Sequence, residues 1–111
     1  MIVTQTEPSI TVPVSEATVA EIVDSDTVGR QVILQNLDAA NTLFYKFQKS
    51  PDKVVYTDIA ALVSIAPLGS AQVVLTAVEP YLRLRAYGNL KMAMSIHRVK
   101  AFTGTFPLVT V

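Results

Sequence analysis

The sequence has no cysteine, no tryptophan and a single histidine. Without cysteine there is no disulfide scaffold, no thiolate zinc site and no cysteine nucleophile. Charge is scarce too: 16% of the 111 residues are charged, against about 25% in a typical domain. Nine Lys and Arg balance nine Asp and Glu, so the basic footprint of a nucleic-acid binder is missing. No window reaches the roughly 18 uninterrupted apolar residues of a membrane helix. The first ten residues lack the basic start and apolar core of a signal peptide. Synthesis in the cytoplasm, without membrane contact, is therefore expected.

What remains is apolar: 50% of the chain is hydrophobic. A chain this short buries under about 70% of its unfolded surface, so part of that apolar content stays exposed in a monomer. Short runs rich in Val, Ile, Thr and Tyr alternate with turn residues, the pattern of an all-β sandwich, and the length allows one domain. Alternation places strands at 10–14, 17–23, 30–36, 42–48, 71–78, 81–87 and 90–99, with a short one at 54–56. Pro13 lacks an amide donor and puts its strand at an edge. Thr57 to Val63 reads as one turn of helix capped by Thr57 or Asp58. Asn36 to Asn41 and Pro67 to Ser70 are turns, and Gly88-Asn89 closes a hairpin. Val32, Leu34, Val73, Leu75, Leu82, Leu84, Ala86, Met92, Met94 and Ile96 fall on core faces. Ile33 is apolar on the opposite face, which implies cover there as well. Arg98 would follow Met92, Met94 and Ile96 inward, so a bulge or strand end near His97 is expected. Strand order is not readable from alternation, so jelly-roll and immunoglobulin-like sandwiches both stay open. Residues 10–101 form the core of the single domain 1–111. Residues 1–9 and the uncharged 102–111 read as extended N- and C-terminal arms.

Candidate chemistry is thin. His97 has no carboxylate or nucleophile beside it in sequence, so it reads as an ordinary strand histidine. Asp24-Ser25-Asp26 offers two carboxylates, a fragment of a calcium site that needs about six to eight oxygens. It reads as a turn, as do Asn36, Asp38 and Asn41. Glu16 and Glu79 are isolated, whereas a glycosidase pairs two carboxylates across one bond. No enzyme, cofactor or metal site is expected. Lys46, Lys49 and Lys53 cluster around a turn and read as solvated. The best exposed constellation is Tyr81, Arg83, Arg85 and Tyr87, which alternation places together on one face. Stacking and phosphate contact would suit single-stranded nucleic acid, but the zero net charge argues against it. A protein interface, where Tyr and Arg are enriched, or a plain solvated strand face remain.

Four stretches occur in a suggestive order: Arg30 to Asn36, Asn41 to Phe47, Ile65 to Ser70, and Tyr81 to Gly88. A valine-rich strand, an Asn turn, an aromatic-lysine strand, a Pro-Gly-Ser turn and Tyr-x-Arg-x-x-Ala over residues 28–100 resemble the small β-sandwich virion proteins of tailed bacteriophages. The resemblance implies a capsid decoration, or cement, protein located on the virion. It would bind the major capsid protein lattice as a homo-oligomer, a homotrimer first, and stabilise the shell. A tail, neck or baseplate protein is the alternative. A ligand- or carbohydrate-binding sandwich ranks lower, since such sites rely on aromatic platforms and only 7% of the chain is aromatic. The interface is expected at Ile2, Val3, Tyr81, Arg83, Arg85, Tyr87, Phe102, Phe106, Leu108, Val109 and Val111, because exposed apolar strands invite pairing between chains.

Overall fold

The computed structural model describes residues 2–23, 27–75 and 80–100. Among them are nine strands: β1 (Ile2–Val12), β2 (Ala17–Val23), β3 (Thr27–Asn36), β4 (Leu43–Ser50), β5 (Thr57–Asp58), β6 (Val63–Ile65), β7 (Ser70–Leu75), β8 (Tyr81–Tyr87) and β9 (Leu90–Lys100). They form two sheets. Sheet A has the order β1-β9-β3-β7, and sheet B has the order β2-β8-β4-β5 with β6 also on β4. Every neighbouring pair is antiparallel.

The first four strands alternate between the two sheets. This is the winding of a jelly roll. An immunoglobulin-like sandwich instead keeps its first two strands in one sheet, so the order decides between the two architectures.

The core lies between the sheets. Sheet A contributes Val12, Val32, Leu34, Leu75, Leu90, Met92, Met94 and Ile96; sheet B contributes Ile22, Leu43, Tyr45, Phe47, Ile65, Leu82, Leu84 and Ala86. These are alternate positions on their strands, as period-2 patterning requires. Burial of this set is the main force that closes the sandwich.

Several local expectations need correction. Residues 2–9, expected as an arm, are part of β1 and pair with β9 from Ile2–Val99 onward. Thr57 to Val63 forms no helical turn. The long edge of β4 needs partners, and β5 and β6 supply them at its two ends, with the Ile59 amide donating to the Phe47 carbonyl at 3.0 Å between. Val54 to Tyr56 is not a strand, because the Val54 and Val55 amides are taken by the Asp52 carboxylate. No bulge occurs at His97: β9 keeps its register with both neighbours there. Arg98 follows the core residues inward and is 7% exposed, with Nη2 donating to Gln5 Oε1 at 2.6 Å. Its cross-strand partner Arg30 is 2% exposed. Polar groups tolerate such burial only when hydrogen-bonded. Ile33 does face outward, but it is 38% exposed, without the cover expected for it.

Candidate assembly surface

The stripe Tyr81, Arg83, Arg85 and Tyr87 lies on the outer face of sheet B, on β8 between β2 and β4. Alternation brought these four together correctly, and the structure shows how they are used. Arg83 Nε donates to Gln48 Oε1 at 2.6 Å, and the guanidinium sits 3.8 Å above the Tyr56 ring. Arg85 donates to Thr18 Oγ1 at 3.1 Å and to Glu16 at 3.2 Å. Lys46 reaches both Glu16 and Asp58, at 3.8 and 3.4 Å. A hydrogen bond from Gln48, and then the Lys46 charge, hold the Asp58 carboxyl below its ordinary value. Tyr87 stacks on Phe44. The face is thus a closed polar network whose cations already have anionic or aromatic partners. A phosphate backbone would have to displace Glu16 and Asp58 first.

The remaining sequence candidates serve the fold. His97 lies between Thr4 Oγ1 (3.2 Å from Nδ1) and Ser95 Oγ (3.4 Å from Nε2), hydroxyls that cannot activate it as a base. Asn36 is fully buried. Its Nδ2 donates to the Asn41 carbonyl at 2.8 Å and to the Ile65 and Ala66 carbonyls at 3.3 Å, and its Oδ1 accepts the Asp38 amide at 2.9 Å. Asp38 Oδ1 accepts the Asn41 and Ala40 amides, which lowers its pKa. These are turn braces, as read. No group of three His, Cys, Asp or Glu that could hold a metal occurs among the described residues. Ile2 and Val3 sit at the start of β1, opposite Val99 and Arg98. Asp24 to Asp26, Glu79, Phe102, Phe106, Leu108, Val109 and Val111 lie outside the described residues.

The sheet edges tell more. An exposed edge strand presents unpaired amides and carbonyls to any other strand, and proteins blunt such edges with proline, bulges, charge or shortness. Edge strand β1 carries Pro8 and a register shift between Glu7 and Ile10. Edge strand β2 has a shift between Thr18 and Ala20 and carries Glu21. These two bulged edges border a cleft of about 220 Å³. On the opposite side, β5 and β6 are two and three residues long. The fourth edge, β7, reads Ser-Ala-Gln-Val-Val-Leu. It has no proline and no charge, and its pairing with β3 is unbroken from Arg30–Leu75 to Gln35–Ser70. Val74 faces outward and is 66% exposed. Alternation identified this strand and its inward Val73 and Leu75, but not that it is an edge.

The outer face of sheet A adjoins this edge and is almost uncharged. Next to β7 it presents Gln31, Ile33 and Gln35 of β3, then Ala93, Ser95 and His97 of β9, with Lys91 the one charged side chain among the described outward positions of these three strands.

No protein-family profile and no curated protein matches the sequence. Solved structures do match the fold. One belongs to the Bacillus endospore appendages, described as a family of disulfide-linked pili, with 14% identity, a TM-score of 0.61, and coverage of 90% of this chain and 89% of that one. Another is PirA, with 13% identity, a TM-score of 0.54, and coverage of 88% and 93%. A third is a Yersinia pseudotuberculosis-derived mitogen, with 9% identity, a TM-score of 0.46, and coverage of 97% and 92%. The first two share the sandwich fold with this chain.

These neighbours overturn the virion reading. The two that share the fold are a pilus protein and PirA rather than phage proteins, and no sequence family links the chain to phages. The decoration role, the tail, neck or baseplate alternative and the carbohydrate-binding alternative lose their support. The physical reason lies in the motifs. Val32, Leu34, Leu43, Tyr45, Leu82 and Leu84 are jelly-roll core positions, and Asn36 and Gly69 are turn positions. Such a pattern reports an architecture that unrelated functions share.

Proposed function

We propose that this chain is a non-catalytic structural subunit that works by associating with copies of itself. The observation that carries the reading is the β7 edge: six residues, uncharged, unbulged and bordered by exposed Val74 and Ile33. The charge-poor outer face of sheet A supports it, since lasting interfaces are more apolar than the rest of a surface. The polar network on sheet B supports it from the other side, because its cations are already engaged and offer little to a ligand.

Likeness of fold to an appendage protein agrees with a structural role, although that protein's disulfide linkage has no counterpart here, because this chain has no cysteine. Association of this chain therefore does not run through disulfides.

The test is the solution mass by light scattering over a wide concentration range. The expected result is a mass above that of one 12.0 kDa chain, rising with concentration. A single-chain mass up to millimolar concentration would overturn the reading.

A further inference from the structure

We infer that the contact is formed by β7 of two copies, paired antiparallel about a two-fold axis at Gln72, so that two A sheets join into one. This rests on the self-association proposed above and names its surface, partner and register.

The phase of the ladder decides which groups are free. The Asn36 amide donates to the Gly69 carbonyl at 2.9 Å, and the β3–β7 register continues from there without a shift. In an antiparallel pair, hydrogen-bonded and non-bonded positions alternate. Ala71, Val73 and Leu75 therefore turn their backbone groups toward β3. Ser70, Gln72 and Val74 turn theirs away, toward the open edge, and no described strand lies beyond them.

These three positions are symmetric about Gln72. A second β7 laid antiparallel along the edge sets Gln72 opposite Gln72, and Ser70 opposite Val74. Each facing pair exchanges its amides and carbonyls, giving about six hydrogen bonds. The carboxamides of the two Gln72 side chains meet as donor and acceptor, and Val74 is covered. Nothing on the strand carries a charge, so a copy meets no like-charge repulsion, and the zero formal charge of the chain removes it at long range. Such repulsion is what ordinarily keeps identical edges apart. On the core side, Val73 borders a recess of about 70 Å³ shared with Val63, which is 46% exposed. A docked copy extends this apolar wall.

The absence of cysteine makes the register directly readable. Across the proposed axis the two Gln72 Cα atoms stand about 5.5 Å apart, within disulfide reach. The two Val74 Cα atoms stand about 14 Å apart, outside it. The full-length Gln72→Cys chain is expected to form a covalent dimer under mild oxidation. Val74→Cys alone does not, while Ser70→Cys and Val74→Cys chains cross-link when mixed. Gln72→Pro removes the outward amide and carboxamide but no bond to β3, so the fold persists by circular dichroism while the dissociation constant rises at least about tenfold. Cross-linking of Val74→Cys as strong as that of Gln72→Cys overturns the register. If the unmodified chain is oligomeric by light scattering while Gln72→Cys stays uncrosslinked and Gln72→Pro changes nothing, the surface is wrong and self-association stands. If the unmodified chain is a monomer throughout, both fall.

Discussion

The rings of Phe44 and Tyr87 lie 4.8 Å apart, centroid to centroid, and within 11° of parallel. They are direct cross-strand partners on β4 and β8, so the stack ties the two central strands of sheet B together on its outer face. Aromatic pairs of this kind add about 0.5–1.5 kcal/mol beyond the area they bury. A double-mutant cycle of Phe44→Leu and Tyr87→Leu, read by urea unfolding, is expected to return a coupling energy in that range. Additive effects of the two substitutions would show the rings to be independent.

Asn36 is a buried amide that closes one end of the sandwich. It joins the turn at Asp38–Asn41 to the end of β6 through bonds to four backbone groups. Asn36→Ala leaves those groups buried without a partner, at about 1–3 kcal/mol for each one that water cannot reach. A loss on the order of 3 kcal/mol is expected in chemical denaturation. Asn36→Asp keeps the acceptor but loses the donor, and falls short of wild type as well.

Gly88 sits at the turn between β8 and β9 with φ 146°. A Cβ there would lie 2.5 Å from the Thr42 carbonyl oxygen and 2.9 Å from Leu90 Cδ2. The first contact is with backbone, which has no room to give. Gly88→Ala is expected to cost at least about 2 kcal/mol in unfolding free energy. Its neighbour Asn89, at φ 54°, accepts Gly, because glycine adopts the left-handed region without strain.

Acid stability follows from the turn carboxylates. The Val54 and Val55 amides and the Ser50 hydroxyl hold the Asp52 carboxyl below its ordinary value, and the Asn41 and Ala40 amides do the same for Asp38. A carboxyl whose pKa is lower folded than unfolded adds stability above the unfolded value, about 4, and loses it as pH falls through the folded one. Unfolding free energy is therefore expected to hold from neutral pH to about 5 and to decline below about 4. Asp52→Asn shallows that decline. An unchanged slope in a urea–pH series would remove Asp52 from the account.

The parts of this fold legible in the sequence are those set by neighbours along the chain. Strands β2 and β8 coincide with the runs 17–23 and 81–87, and alternation assigns Leu82, Leu84 and Ala86 to the core because side chains flip with each residue. Register and strand order depend on partners dozens of residues away, so nothing local marks β7 as an edge or β1 as a paired strand. Arg98 departs from its expected place for a related reason. Polarity suggested an interruption, whereas the end of the sandwich supplies an acceptor, Gln5 Oε1, that lets the cation point inward. The candidate stripe on β8 was legible as a face, but its partners Gln48, Tyr56, Thr18 and Glu16 come from three other segments.

The edges of this jelly roll also set how far an assembly can grow. Among the described strands, three edges are blunted by proline, bulges, charge or brevity, and one is left open. A subunit with one usable edge has a valency of one. Two copies joined through β7 consume both open edges, and the described strands of the pair leave no further open edge. Filaments require two complementary faces on each subunit, whereas a self-complementary contact closes after a single step. The protein shares its architecture with a pilus subunit, yet this arrangement of edges favours a discrete, self-terminating particle.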